Sequence, residues 1–246
     1  MDKKKLEAWA EKALDYYNEM AQETKLNLSF YQFQKPADFD NECELLLVGL
    51  NPGAEEGWGY ASQYNNPNWQ PCFEGKRMTM EGFLKGNLPA WEDSWKSGSW
   101  NLLKGLSLIG LGKERLDGIG NWQYINYVPF ATNGFKAFEQ KAKGTDAFSR
   151  CIELTEEFIQ CLSPKRIIIM GTANGVDKLR HGKDTVLLRG RIRYIVKTTI
   201  CDIPALAIPH PSYANWPVGA REEMTRMIGM YLDGKVDEIE EIVLGR

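Results

Sequence analysis

The stretch that decides the fold runs from Glu44 to Gly53 and reads Glu-Leu-Leu-Leu-Val-Gly-Leu-Asn-Pro-Gly. Its apolar run predicts a buried strand, and the glycines and proline that follow end this strand in a tight turn. We therefore expect Asn51 at the carboxyl end of a strand, on a loop whose glycines let a ligand approach the backbone. Open α/β sheets bind their ligands at that edge.

A second stretch, Ala205 to Ser212, has the same design. An apolar run is followed by Pro209, His210 and Pro211. It predicts another strand that stops at proline and presents one polar side chain, that of His210. If the two strands run parallel in one sheet, Asn51 and His210 lie at the same edge of that sheet.

The composition is that of a globular protein. The chain has 246 residues, of which 43% are hydrophobic and 26% charged, so it is large enough for a sizeable core. A formal net charge of −3 excludes a chain that is basic throughout, but not a local basic patch. No apolar run is long enough to cross a membrane, and the lysine-rich start lacks an apolar signal core. The 5 cysteines are scattered and form no Cys-x-x-Cys, which argues against disulfides or a zinc site and favours a cytoplasmic setting.

Periodic apolar residues predict the helices, and β-rich runs predict the strands. We expect a single α/β domain over residues 1–246: a three-layer αβα sandwich around a central, mainly parallel four-stranded sheet. The predicted strands are 44–49, 122–128, 166–170 and 205–208. The predicted helices are 3–22, 99–109, 145–162, a short one ending near Leu179, and a last one that opens at Asn215-Trp216-Pro217 with Asn215 as its cap.

An aromatic-rich excursion covers about residues 54–100. Its tryptophans stand among Gly, Pro, Asn and Ser with little periodicity. A loop this long is usually functional or disordered, and its aromatic content argues against disorder. Two interpretations stay open: an aromatic cluster packed under the excursion, or a wall of planar side chains beside a site.

A basic segment runs from Lys178 to Lys197, with Asp184 as its only acidic residue. Between Arg189 and Tyr194 basic and apolar residues partly alternate, which predicts a strand with one charged face. That face is either simply solvated or a phosphate-contacting patch formed by Arg189, Arg191 and Arg193.

The polar residues at the strand ends suggest a chemistry. The chain has neither a Gly-x-Ser-x-Gly nucleophile motif nor a phosphate-binding loop after a strand. What remains is the amides of Asn51 and Asn126 and the imidazole of His210. Amides suit the edge of a nucleobase, aromatic rings suit its face, and an imidazole can stabilise negative charge on a leaving group. The set fits the binding and excision of a base, although a structural role for His210 stays open.

Gly49-Leu50-Asn51-Pro52-Gly53 and His210-Pro211-Ser212 resemble the two signature motifs of the uracil-DNA glycosylase superfamily. Asn126-Tyr127-Val128-Pro129 is similar to the Asn-x-x-Pro strand end of its single-strand-selective monofunctional branch, and the set is closest to that branch and the mismatch-specific ones. Pro71–Gly75 loosely resembles the family's aromatic stacking segment. The resemblance covers roughly residues 40–232.

The resemblance implies a monofunctional DNA glycosylase of base excision repair. Asn51 would orient the attacking water and His210 would donate a hydrogen bond to the departing base. The partner would be DNA that carries uracil or another deaminated base, with no obligate protein partner. The base-binding residues would be Gly49, Leu50, Gly53, Asn126 and Phe73, and Trp58 or Tyr60 could replace Phe73 as the stacking ring. The DNA contacts would come from Ser212, Tyr213, Asn215 and Trp216, together with Arg189, Arg191 and Arg193 of the basic segment.

The cysteines and the fold leave two further expectations, one on cofactors and one on an alternative function. Some branches of the family hold an iron–sulfur cluster on four cysteines near the amino end, but only Cys43 and Cys72 lie in the first half here, so no cofactor is expected. The alternative to an enzyme is a non-catalytic member of the same fold that binds a nucleobase, a nucleotide or single-stranded nucleic acid.

Overall fold

The computed structural model describes residues 1–23, 30–51, 72–86, 97, 101–132, 134–172, 175–179, 182–213 and 215–245. The chain forms two compact units. The first unit comprises Met1–Glu42, Gly49–Pro89 and Gln123–Ser163, and the second comprises Cys43–Val48, Ala90–Trp122 and Pro164–Arg246.

The helices fall close to the periodic segments of the sequence. Within the described ranges, no helix is both long and apolar enough to cross a membrane. The α-helices are α1 (Lys3–Glu23), α2 (Met80–Lys85), α3 (Asn101–Ser107), α4 (Lys113–Gly118), α5 (Phe135–Lys141), α6 (Ala147–Leu162) and α7 (Val218–Leu232), and short 3-10 turns cover Val176–Lys178, Pro211–Tyr213 and Val236–Glu238.

The strands form a mixed sheet and a small hairpin. In the described part of the chain the strands are β1 (Leu45–Gly49), β2 (Phe73–Glu74), β3 (Arg77–Met78), β4 (Trp122–Asn126), β5 (Ile167–Met170), β6 (Thr185–Arg189), β7 (Arg193–Ile200), β8 (Ile203–Ile208) and β9 (Ile242–Val243). The seven-stranded sheet has the order β4-β1-β5-β8-β7-β6-β9, and β2 pairs with β3. β5 runs parallel to both β1 and β8, and β6 is parallel to β9, whereas β7 is antiparallel to both β8 and β6.

The α/β class is confirmed, but the expected four-stranded sheet is wrong, because the sheet has seven strands. The four predicted strands correspond to β4, β1, β5 and β8, which are consecutive neighbours. β7 lies next to β8 in the sheet, and a tight turn connects the two strands. This turn contains Cys201 and Asp202, both with positive φ (50° and 64°). Tight hairpin turns normally use Asn-Gly or Asp-Gly at such positions, so Cys-Asp gave no hairpin signal.

The strand predicted over 189–194 is also wrong, because this segment is the turn of the β6–β7 hairpin. β6 ends at Arg189, β7 begins at Arg193, and the Gly190 N–H donates to the Ile192 carbonyl at 3.0 Å. The alternation of basic and apolar residues therefore comes from two strand ends that meet at a turn.

In the first unit, α1 packs against α6 through an aromatic core. The ring centroids of Trp9 and Phe158 are 4.6 Å apart. The indole N–H of Trp9 donates to the Leu154 carbonyl at 2.7 Å, so the buried ring leaves its donor satisfied.

In the second unit, Tyr231 ties α7 to the amino-terminal end of the sheet. Its hydroxyl accepts from the Ile167 N–H at 2.9 Å and donates to the Pro204 carbonyl at 2.7 Å, which joins β5 and β8. The cap predicted for this helix is wrong. α7 begins at Val218 after Pro217, and no side chain caps it.

Candidate functional site

Asn51 follows β1 by two residues and is held by a short hydrogen-bond chain. Its Nδ2 donates to the Thr132 hydroxyl at 2.9 Å, and that hydroxyl donates to the Gly134 carbonyl at 2.9 Å. A hydroxyl has one proton, so the Thr132 oxygen can only accept from Asn51. The amide therefore faces Thr132 with its donor end, and its acceptor Oδ1 is the end that can hold a water.

The backbone around Asn51 is fixed by pairing beyond the end of β4. The Tyr127 N–H donates to the Gly49 carbonyl and the Val128 N–H to the Leu50 carbonyl, both at 2.8 Å. Thr132 itself is 3% exposed. Because the backbone just before Asn51 is tied in this way and its side chain is bonded to Thr132, the Asn51 side chain is positioned before any ligand binds.

Gly49 allows two polar side chains to approach the backbone. A Cβ at this position would lie 3.0 Å from the Asn126 Oδ1 and 3.1 Å from the Tyr124 hydroxyl. Burial raises the pKa of the Tyr124 phenol, which therefore stays neutral. Gly49 is thus required by close packing at the strand end.

Asn126 belongs to a buried polar network. Its Nδ2 donates to the Tyr31 carbonyl at 2.8 Å, and the side chain is 1% exposed. Gln32 holds its backbone, because the Asn126 N–H donates to the Gln32 carbonyl and Gln32 Nε2 donates to the Asn126 carbonyl, both at 2.7 Å. The Tyr17 hydroxyl donates to Gln32 Oε1 at 2.8 Å. The pyrimidine contact expected of Asn126 stays a prediction, and the bond to Tyr31 uses one of the two N–H donors of Nδ2.

His210 stands two residues beyond the end of β8 and is partly buried. The end of β8 is joined to that of β5, because the Gly171 N–H donates to the Ile208 carbonyl at 2.7 Å. The Ser212 N–H donates to His210 Nδ1 at 3.3 Å, and burial lowers the pKa of the imidazole. A neutral ring that accepts at Nδ1 carries its proton on Nε2. His210 is therefore a neutral Nε2–H donor near pH 7.

Helix α3 supports the His210 loop by direct backbone contact. A Cβ on Gly105 would lie 2.1 Å from the Pro211 carbonyl oxygen, so a side chain cannot fit there without movement. The sequence predicted this helix but assigned it no role.

The three arginines of the basic segment have different environments. Arg193 donates to Asp177 at 2.6 Å and also to the Thr172 carbonyl, so its charge is paired within the fold. Arg189 and Arg191 are exposed, and in the described part of the chain their side chains make no hydrogen bond or ion pair.

The other predicted site residues differ in their exposure. Ser212 and Asn215 are exposed, and Leu50 is partly buried. Trp216 and Phe73 are buried, at 8% and 9% exposure. Their DNA and base contacts stay predictions. Gly53, Trp58 and Tyr60, the Tyr213 side chain and most of the 54–100 excursion lie outside the described residues.

Sequence reasoning missed Thr132 and Tyr124. Tyr124 precedes Asn126 by two residues in a strand and so shares its face, which is a signal that could have been used. Thr132 lies on an irregular segment after the strand, and no periodicity points to its contact with Asn51.

A groove of about 400 Å³ lies elsewhere in the second unit, at the amino-terminal ends of β1 and β5. The residues that line it are Glu44, Glu114, Arg115, Gly118, Ile119, Arg166 and Leu232, and none of them is a predicted site residue. Among the described residues, no cluster of three or more His, Cys, Asp or Glu could hold a metal ion.

The chain matches none of the protein-family models with which it was compared, and no curated protein matches it. The resemblance to uracil-DNA glycosylases therefore depends on the motif residues alone.

Proposed function

We propose that the protein is a monofunctional DNA glycosylase that removes uracil or a related deaminated base by hydrolysis of the N-glycosidic bond. The observation that carries the proposal is the state of His210: a neutral imidazole at a strand end, with Nδ1 occupied by the Ser212 N–H and the proton on Nε2. Such a donor suits a base that departs as an anion.

The role of Asn51 follows from its fixed amide. Oδ1 accepts a hydrogen bond from a water and orients it toward C1′ of the sugar. The water oxygen forms the new bond to C1′, the bond from C1′ to the base nitrogen breaks, and the electron pair leaves with the base. An amide cannot take up a proton, so the proton of the water passes to solvent.

The role of His210 is to stabilise the leaving group. Its Nε2–H donates to the carbonyl oxygen on which negative charge develops as the bond breaks. Loss of one donor of this kind typically lowers kcat by about 10²–10³. Neither motif contains a lysine. The reaction therefore ends at an abasic site, without a Schiff-base step.

The test is base release from a labelled oligonucleotide that carries one uracil, read as strand cleavage after alkali. Wild type should release uracil, and both Asn51→Ala and His210→Ala should reduce the rate about 100-fold. Asn101→Ala, an exposed asparagine on α3, is the matched control and should keep the wild-type rate.

Absence of release by the wild type, on uracil and on hypoxanthine and xanthine, overturns the proposal. Binding of the same oligonucleotides without release would then favour the non-catalytic alternative.

A further inference from the structure

The tip of the β6–β7 hairpin carries an exposed apolar residue, Ile192, directly after two exposed arginines. Ile192 is 47% exposed, a high value for a large apolar side chain. Arg189 and Arg191 precede it in the turn, and neither has an ion-pair partner in the described part of the chain. Unpaired cations beside an apolar tip suit a polyanion with stacked bases better than they suit an apolar partner.

The tip is held firmly. Leu244, just after β9, donates its N–H to the Arg189 carbonyl at 2.8 Å. Gly190 packs on the neighbouring ring, since a Cβ there would lie 3.0 Å from Cε2 of Tyr194. Arg193 anchors the other side through Asp177 and the Thr172 carbonyl. A preformed protrusion loses little conformational entropy when it binds.

The hairpin tip and His210 lie at the same edge of the sheet. β7 and β8 are antiparallel, with Val196 opposite Ala207 and Lys197 opposite Leu206. Continued along the strands, this register places Arg193 level with His210, so the turn at 190–192 extends beyond it. The tip therefore reaches past the loop to which the base-excision chemistry is assigned.

Acidic residues of the tail do not compete with the tip. Asp177 is already paired with Arg193. Glu240 and Glu241 precede β9, and since β9 runs parallel to β6 with Val243 opposite Arg189, they lie away from the turn.

We propose that this tip is a DNA wedge, in which Arg189 and Arg191 contact phosphates and Ile192 inserts between neighbouring bases. Apolar side chains that enter a base step unstack it, which helps a base to leave the helix. The inference rests on the proposed function only in taking DNA as the partner.

The experiment measures unstacking directly. A duplex with 2-aminopurine beside a uracil pair is titrated with the full chain, and wild type should raise the 2-aminopurine fluorescence. Ile192→Ser should lose most of this rise. Val243→Ser, an exposed valine (77%) on the neighbouring strand, is the control and should keep it. Equal loss in both variants, or no rise with wild type, overturns the wedge.

The arginines are tested by the salt dependence of duplex binding, measured by fluorescence anisotropy. Each lost phosphate contact lowers the slope of log K against log salt by about 0.9, so the Arg189→Gln/Arg191→Gln double variant should lower it by about 2. Lys76→Gln, an exposed cation on the turn between β2 and β3, should change the slope by no more than one contact. An unchanged slope in the double variant contradicts the proposal.

Uracil release from a single-stranded oligonucleotide separates this inference from the proposed function, since no base stack has to be opened there. Release by wild type and by Ile192→Ser alike, with no fluorescence difference on duplex, leaves the glycosylase standing and removes the wedge. A fluorescence difference without release by any variant supports the wedge and removes the glycosylase.

Discussion

The Asn126 network and the His210 loop are held in place by different means. Asn126 is tied by hydrogen bonds from its side chain and from both of its backbone groups, and it is almost fully buried. His210 accepts a backbone hydrogen bond from Ser212, and its loop is in addition supported by the contact between Gly105 and Pro211. Buried polar partners hold the first region, whereas close steric fit contributes to the second. We therefore expect substitutions in the two regions to differ in their effects on stability.

Loss of Gln32 should have the largest effect on stability. Gln32→Leu leaves the Tyr17 hydroxyl and the Asn126 carbonyl without their buried partner. Each unsatisfied buried group costs about 1–3 kcal/mol, so we expect the free energy of unfolding to fall by roughly 3 kcal/mol. Urea unfolding measures it. Gln140→Leu, on the exposed side of α5, should stay within about 0.5 kcal/mol of wild type, and equal effects would contradict a network role.

Gly105→Ala tests the support that helix α3 gives to the His210 loop. The added methyl would meet the Pro211 carbonyl, and overpacking of this kind costs about 1–3 kcal/mol. Gly118, in α4, has open space around its Cβ position, so Gly118→Ala should instead stabilise by about 0.5–1 kcal/mol. Opposite signs in urea unfolding, with the His210 ring resonances shifted only in Gly105→Ala, are the expected result. A neutral Gly105→Ala would remove α3 as the support of the loop.

These glycines also show what sequence could and could not predict. β1, β5 and β8 are predictable because each is an apolar run with a clear stop, and β4 because its residues are β-rich and end at Pro129. Gly105 looks like any other glycine in a helix, and only the approach of Pro211, more than a hundred residues away, gives it a role.

The same limit applies to the polar contacts. Asn51 and His210 could be selected because a strand end must present something polar. Thr132 could not, because the choice of Thr132 as partner depends on the path of an irregular loop. The hairpin of β6 and β7 was missed for a related reason: basic residues at two strand ends mimic one alternating strand.

Thr132→Val should affect activity more than stability. The variant keeps the shape of the side chain but removes the acceptor that fixes the donor end of the Asn51 amide. A loss of about 1.4 kcal/mol in positioning would lower kcat about tenfold and leave KM unchanged. Thr132→Ser restores the hydroxyl and should restore the rate.

An activity-independent measurement accompanies this variant. The Asn51 side-chain amide protons should shift in the NMR spectrum of Thr132→Val and return toward wild type in Thr132→Ser. An Asn51 amide that is the same in all three proteins would mean that Thr132 does not orient it, whether or not the chain is a glycosylase.

The smallest expected effect is the pH dependence that His210 gives to the free energy of unfolding. Burial lowers the pKa of His210 below its ordinary value of 6.5. The unfolded state then binds a proton more readily than the folded one. The stability associated with the neutral ring is complete above pH 6.5 and declines as pH falls through the unfolded value toward the lowered folded one. His210→Gln should remove that decline from the pH dependence of urea unfolding.

The ring titration by NMR gives the same pKa directly, because the chain contains only one other histidine, His181. A His210 that titrates above 6.5 would show that the ring is charged where the mechanism needs it neutral, and would reverse the sign of the pH effect.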